Sequence, residues 1–409
     1  MKIEKVKGTK DFFPEDFAIQ QYIFSKFKEV AEGYGFKQVE TPAFEYMYIF
    51  RRKAGQEIDE QIFTLKKKGK EELGLRFDLT VPFARMYVEK QKSLAKPVKW
   101  FNLTRMWRYE QPQAGRLREF YQFGIELFGS EKEEADAEVI NVAIDALKSL
   151  GLSNKDFFVK INNRKLLEGL LDFIPKSKLA EVMRLIDKSE KIGKKNFELS
   201  LKDLKVDAKK VIKVLDTKDI SKIKAVNNKA EEGLEELKNV LKYLDKKYVQ
   251  VNLSTARGLA YYTGTVFEIF DKDEKFRAIC GGGRYDNLIE KFGGEKEPAT
   301  GFGLGLATLG LLLEDKKLTP KVEQGPDYYI APVNEKVYKK AWDIANKLRE
   351  KAKVEIDLMS RNLGNQLKYA DSINAKKLII VGEKDLAKKE VTIRDLKTGK
   401  EKKVKIIML

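Results

Sequence analysis

The chain has 409 residues, 43% of them apolar, which is enough to bury a sizeable core and to divide into two or three domains. No apolar run reaches the ~18 residues a membrane span needs, and the N-terminus lacks the apolar stretch of a signal peptide, so a cytoplasmic protein is expected. A net charge of +17 favours a polyanionic partner such as nucleic acid, the single Cys280 rules out an internal disulfide, and zero histidines exclude imidazole-based hydrolases and His-ligated zinc enzymes.

In chain order, KGTKDFFPED precedes a helix predicted over 17–35, where Phe17, Ile19, Tyr22, Ile23, Phe24, Phe27 and Val30 keep a helical spacing and Gly33 and Gly35 end it. A strand over 37–40 closes at Pro42, a helix covers 46–55, and short strands at 62–65 and 73–77 flank the basic turn KKKGKEE. Asp78 or Thr80 then caps the next helix. Residues 101–129 form a hairpin, with strands through 106–109 and 120–128 and a turn marked by Pro112 and Gly115. On its return strand Phe120, Gln122, Gly124 and Glu126 share one face, and Tyr121, Phe123, Ile125 and Leu127 the other. A bare Gln and a bare Glu among bulky neighbours, with Arg108, Glu110, Arg116 and Arg118 crowded at the turn, point to a binding site.

A helix over 134–150 and a strand over 157–161 follow. Residues 165–247 turn Lys/Glu/Leu-rich and read as a helical insertion. A strand at 250–253, a hairpin of 264–270 and 276–280 around DKDEK, and a glycine-rich strand running into an apolar helix over 297–313 complete the first part. Beyond the polar linker 314–326, strands at 327–331, 354–357, 377–381 and 390–395 alternate with helices at 337–350, 361–373 and 384–387, a small α/β domain carrying 20 Lys/Arg against 12 Asp/Glu.

Three further stretches carry candidate chemistry: ARGLAYYTGTVFE at 256–268, CGGGRYDN at 280–287 and PATGFGLGL at 298–306. Consecutive glycines either let a ligand approach the backbone closely or form a tight turn. Together with KGTKDFFP, LRFDLTVPFAR at 75–85, WRYEQPQAGRLREFYQFGIELFG, GGGRYDNLIEKFGG and SRNLGNQLKYAD at 360–371, they make the chain resemble the histidyl-tRNA synthetases, class II aminoacyl-tRNA synthetases, over nearly its full length and in family order.

The resemblance implies an α+β fold: an antiparallel class II core over 1–164 and 248–318, a helical insertion over 165–247, and an anticodon-binding α/β domain over 326–409. It also implies a homodimer with the strand ending at Pro42 in its interface, and ATP, Mg²⁺, L-histidine and tRNA(His) as substrates and partners. By position, Arg108 matches the arginine that holds the α-phosphate and the amino-acid carboxylate, and Arg257 the second catalytic arginine. Asp78 and Thr80 match residues at the substrate amino group, while Gln122, Glu126, Tyr261, Tyr262 and Tyr285 match the histidine pocket. Glu110, Arg116, Gly303 and Gly305 match the ATP site, and Gln113 lies where the hairpin loop meets the acceptor end of tRNA.

Elementary chemistry agrees. Adenylate formation is attack of a carboxylate, already ionised at neutral pH, on the α-phosphate of ATP, so it needs charge stabilisation by arginine rather than an imidazole base. The chain departs from the family pattern where the glycine strand is followed by Ala307 and Thr308 instead of an acidic residue and an arginine, and at Ala260, Gln111 and Tyr121. The first two departures touch nucleotide binding and the surroundings of Arg257. A regulatory subunit of ATP phosphoribosyltransferase is the alternative reading, and a chain that keeps Arg108, Gln122, Glu126, Arg257 and a basic C-terminal domain favours the synthetase.

Overall fold

Alternation in the hairpin organises the first unit. The computed structural model describes residues 3–54, 56–65, 69–257 and 261–409. In chain order its strands are β1 (Lys37–Gln38), β2 (Phe44–Tyr46), β3 (Leu73–Leu75), β4 (Val98–Trp107), β5 (Glu119–Phe128), β6 (Phe157–Asn163), β7 (Val249–Val251), β8 (Thr265–Asp271), β9 (Cys280–Arg284) and β10 (Ala299–Gly305). Eight of them form one sheet in the order β1-β4-β5-β10-β9-β8-β6-β7, antiparallel except for the β1–β4 and β6–β7 pairs at its edges. β2 and β3 pair separately.

The β4–β5 hairpin runs in unbroken register from Val98 opposite Phe128 to Trp107 opposite Glu119. Residues directly opposite share a face, so the register sorts the sheet into two sides. On the back, Phe123 meets Phe27 of the helix Pro14–Gly33 with ring centroids 5.0 Å apart, and Phe302 of β10 edge-on at 5.4 Å. The helix Glu133–Lys148 also covers this side, burying Val139, Ile140, Val142, Ala143 and Leu147. Each large apolar side chain so buried contributes roughly 1.5–3 kcal/mol. On the front, Leu79, Phe83, Tyr87, Trp100, Phe128, Leu288 and Ile289 fill one end of the sheet, with Tyr87 stacked on Phe128 at 4.4 Å. The other end of the front face is left open.

Five helices, Arg164–Leu170, Lys176–Ile192, Lys194–Asp203, Ala208–Leu215 and Asn228–Lys242, lie between β6 and β7 in sequence. Asn163, Asp207 and Asn227 cap three of them by accepting from backbone N–H groups, which satisfies donors that a helix start leaves open.

The chain divides into two compact units: Met1–Phe13 with Gln20–Pro320, and Pro14–Ile19 with Lys321–Leu409. The second has a five-stranded sheet, with Tyr328–Pro332 between Val354–Ile356 and Lys377–Val381 in parallel, then Glu390–Asp395 and Glu401–Lys405 antiparallel. Within it Asp357, 1% exposed, accepts from the Arg361 backbone N–H and guanidinium at 2.8 and 2.7 Å, and Asn362 caps the helix Leu363–Ser372. The stretch 360–371 therefore has a structural role in this unit.

Several elements differ from the sequence reading. Residues 62–65 form no strand, only a bridge from Thr64 to Gly74, and 66–68 of the basic turn lie outside the described residues. The hairpin partner of β8 is 280–284 rather than 276–280, so the three glycines sit in a central strand and not in a turn. The charged edge strand Glu401–Lys405 carries no apolar alternation and was not expected.

Arg284 and Asp136 form a buried pair, Nε to Oδ2 at 2.8 Å, and the guanidinium also donates to the carbonyls of Ser130 and Lys132. Removing one partner strands the other charge. Asp136→Ala should therefore lower the unfolding free energy by about 3 kcal/mol in urea titrations; a change below about 0.5 kcal/mol would contradict this role.

Candidate active site

The open end of the front face is a cavity of about 480 Å³, and its floor is the glycine alternation of β9 and β10. In β10 Gly301, Gly303 and Gly305 face front, opposite Glu126, Gly124 and Gln122 of β5, while Phe302 and Leu304 face back. A methyl group at Gly301 would collide with the Glu126 carboxylate, and one at Gly281 with the Arg257 guanidinium. The glycines are required because functional side chains occupy the space their own would take.

Of the residues singled out from sequence, Asp78, Thr80, Arg108, Glu110, Arg116, Gln122, Glu126, Arg257, Tyr261, Tyr262, Tyr285, Gly303 and Gly305 all line this one cavity. Gln113 does not; it is exposed at the hairpin tip, paired through its backbone with Arg116. Ala260 lies outside the described residues. Arg108 directly follows β4 rather than lying within it, and its Nε donates to the Phe77 carbonyl at 2.9 Å while the guanidinium covers the Phe120 ring. Asp78 accepts from the Val81 backbone N–H at 3.3 Å at the start of the helix Thr80–Lys90, which joins its candidate site role to a capping one.

Arg257 takes a left-handed backbone conformation, φ 41°, that a non-glycine residue adopts only when its surroundings hold it. Its Nη1 lies 3.7 Å from Glu268, and its guanidinium 5.6 Å from the Tyr262 ring centre. Deeper in, Tyr285 donates its hydroxyl to Glu126 Oε2, and Tyr261 meets Tyr285 edge-on at 5.8 Å. Burial, and then the Glu126 charge, push the Tyr285 phenol far above its ordinary value, so it stays a donor. Burial, with the like charges of Arg257 and Arg277 set against the pull of Asp78, holds the Arg108 guanidinium below its ordinary value. An anionic ligand beside Arg108 would relieve that cost. Cys280 offers no nucleophile, since burial raises its thiol well above neutrality.

The sequence reading missed four charged lining residues, Asp187, Glu268, Glu274 and Arg277. Glu268 pairs in register with Gly281 and so shares the front face, a signal readable once the strand containing the glycines is placed. Arg284, the neighbour of Tyr285 in CGGGRYDN, points to the back and its buried pair with Asp136. Arg118 supports the hairpin by donating to the Glu110 carbonyl and stacking on Tyr109. Thr308 is buried and donates to the Gly115 carbonyl at 3.2 Å, which ties the hairpin loop to the helix Leu306–Asp315.

An antiparallel sheet with one polar, glycine-floored face, a long hairpin and arginines converging over it defines the class II aminoacyl-tRNA synthetase architecture. The chain belongs to the histidyl-tRNA synthetase family: residues 8–309 match the model of that family, and 327–409 match the anticodon binding domain. It is 41% identical to a histidine–tRNA ligase of Pyrococcus horikoshii, across 99% of this chain and 97% of that one. A crystal structure of histidyl-tRNA synthetase from Nostoc superposes with a TM-score of 0.82 at 25% identity, covering 100% of this chain and 98% of that one. A Bacillus halodurans structure described as an ATP phosphoribosyltransferase regulatory subunit/histidyl-tRNA synthetase gives 0.77 at 27% identity, covering 93% and 98%.

Gly281→Ala should displace the Arg257 guanidinium and lower amino-acid activation about 100-fold, as misplacement by an ångström can. Gly310→Ala, where a methyl meets nothing within 4 Å, should leave it unchanged. Equal rates in the two variants would show that the Arg257 position does not matter.

Proposed function

We propose that this cavity joins L-histidine to ATP as histidyl-adenylate and passes the histidyl group to the 3′ end of tRNA(His). The observation that carries the reading is the pairing, within one cavity, of Arg108 and Arg257 with the buried Tyr285–Glu126 contact.

In the first step a histidine carboxylate oxygen bonds to the α-phosphorus, and the bond from that phosphorus to the bridging oxygen breaks, releasing pyrophosphate. No proton needs removal, since the nucleophile is already an anion. Arg108 holds the carboxylate and α-phosphate, and Arg257, pre-set by Glu268 and Tyr262, faces the charge that grows on the α-phosphate oxygens. Asp78 and Thr80 receive the substrate ammonium. An imidazole needs a partner for each ring nitrogen. Glu126 accepts from the N–H and a tyrosine hydroxyl or Gln122 meets the other nitrogen, while Tyr261, Tyr262 and Tyr285 enclose the ring.

Glu110 and Arg116, already ion-paired in the hairpin loop, lie at the ATP site with the backbone of Gly303 and Gly305. Mg²⁺ suits this site as an ion carried on the phosphates and held by one or two carboxylates, for which Glu110 and Glu268 would serve. Bound there, it would neutralise phosphate charge. In the second step the terminal ribose hydroxyl of tRNA, brought in past Gln113, bonds to the carbonyl carbon. AMP departs and its phosphate takes the hydroxyl proton, the chain having no imidazole to do so. The C-terminal unit, with its excess of Lys and Arg, binds the anticodon end. The protein acts as a cytoplasmic homodimer.

Pyrophosphate exchange into ATP should depend on L-histidine, and the purified protein should charge tRNA(His). Glu126→Gln should raise the KM for histidine about tenfold and leave that for ATP within about twofold. A folded protein that gives no histidine-dependent exchange would overturn the reading and favour the regulatory-subunit alternative.

A further inference from the structure

We propose that Arg277 is a phosphate clamp on ATP, holding the polyphosphate beyond the α-phosphate, in a chain that has Thr308 where the family pattern puts an arginine. The inference rests on the reading of the cavity as an ATP site and assigns a residue which that reading leaves unused.

Four arginines line the cavity, and three are engaged. Arg108 donates to the Phe77 carbonyl, Arg116 pairs with Glu110, and Arg257 lies against Glu268 and the Tyr262 ring. The Arg277 side chain makes no hydrogen bond or ion pair among the described residues. It is half-buried, so it has given up part of its hydration without gaining a partner. A cation left so, among three like charges, is a ready partner for an anion with several charges.

Its place in the fold says which part of the nucleotide it would meet. Arg277 lies two residues before Ile279, whose carbonyl accepts from the Gly305 N–H at 2.9 Å where β10 ends. The helix Leu306–Asp315 starts there, and its first turn carries Ala307 and Thr308 into the cavity lining. Thr308 is tied to Gly115 of the hairpin loop, whose Glu110–Arg116 pair lies on the nucleotide side. The charge of Arg277 also bears on Arg116, where it is the foremost charged neighbour, and on Arg108. Arg277 thus stands near the hairpin loop and the end of β10. Planar guanidinium suits phosphate better than a hydroxyl such as that of Thr308, which is committed to a carbonyl.

Calorimetric titration of the full-length protein with ATP and with AMP tests this without relying on turnover. Arg277→Ala should weaken ATP binding about tenfold or more and AMP binding less than about twofold, as loss of a charged hydrogen bond to the outer phosphates requires. Arg277→Lys should recover part of the loss. In pyrophosphate exchange Arg277→Ala should raise the ATP KM and spare the histidine KM. Unchanged ATP affinity in a variant with the wild-type melting temperature overturns the proposal, as does equal weakening of ATP and AMP. Should the wild type bind ATP yet show no histidine-dependent exchange, the synthetase reading fails, while the comparison of ATP with AMP still decides the role of Arg277.

Discussion

The site depends on a steric constraint in the middle of the sheet: β9 and β10 must present no side chain at the front positions where Arg257 and Glu126 lie. Gly281 and Gly301 meet it. Glycine in the interior of a strand weakens it, by roughly 0.5–1 kcal/mol relative to alanine. The back of the same strands offsets that weakness, because Phe302 and Leu304 alternate with the glycines and pack against Phe123 and the covering helices. One strand with a period of two thus anchors the core on one side and floors a cavity on the other.

Charge completes what shape begins. Burial and neighbouring arginines hold the Arg108 and Arg116 guanidiniums below their ordinary value, a cost that an entering polyanion would relieve. Half-buried Glu268 and the Tyr262 ring hold Arg257 in position without neutralising the cluster as a whole. Glu268 stands 3.7 Å from Arg257, and Glu126 is occupied by Tyr285. The absence of histidine fits a reaction whose nucleophile arrives deprotonated, so the chemistry asks for positioned cations and not for a base.

Much of this was legible in the residues because period two is a strong signal. The facing of Phe120, Gln122, Gly124 and Glu126 followed from alternation alone, and the pairing with β4 and β10 agrees with it. Signals without alternation misled. Gly281–Gly283 carry no apolar pattern and read equally as a turn, so the strand was placed four residues early and Glu268 was missed. Glu401–Lys405 pairs by backbone alone at a charged edge. The bridge at Thr64 was too short to make the expected strand. Arg277 sits just after the charged run DKDEK, and only the closure of the loop against the end of β10 reveals where it faces.

The most direct test of these site assignments is a crystal structure with a non-hydrolysable histidyl-adenylate analogue. The phosphate-mimicking group should lie between Arg108 and Arg257, the imidazole should be enclosed by Glu126 and the tyrosines, and the adenosine should point toward Glu110 and Arg116. An analogue bound with its imidazole away from Glu126, or with its acyl-phosphate mimic out of reach of both arginines, would contradict them.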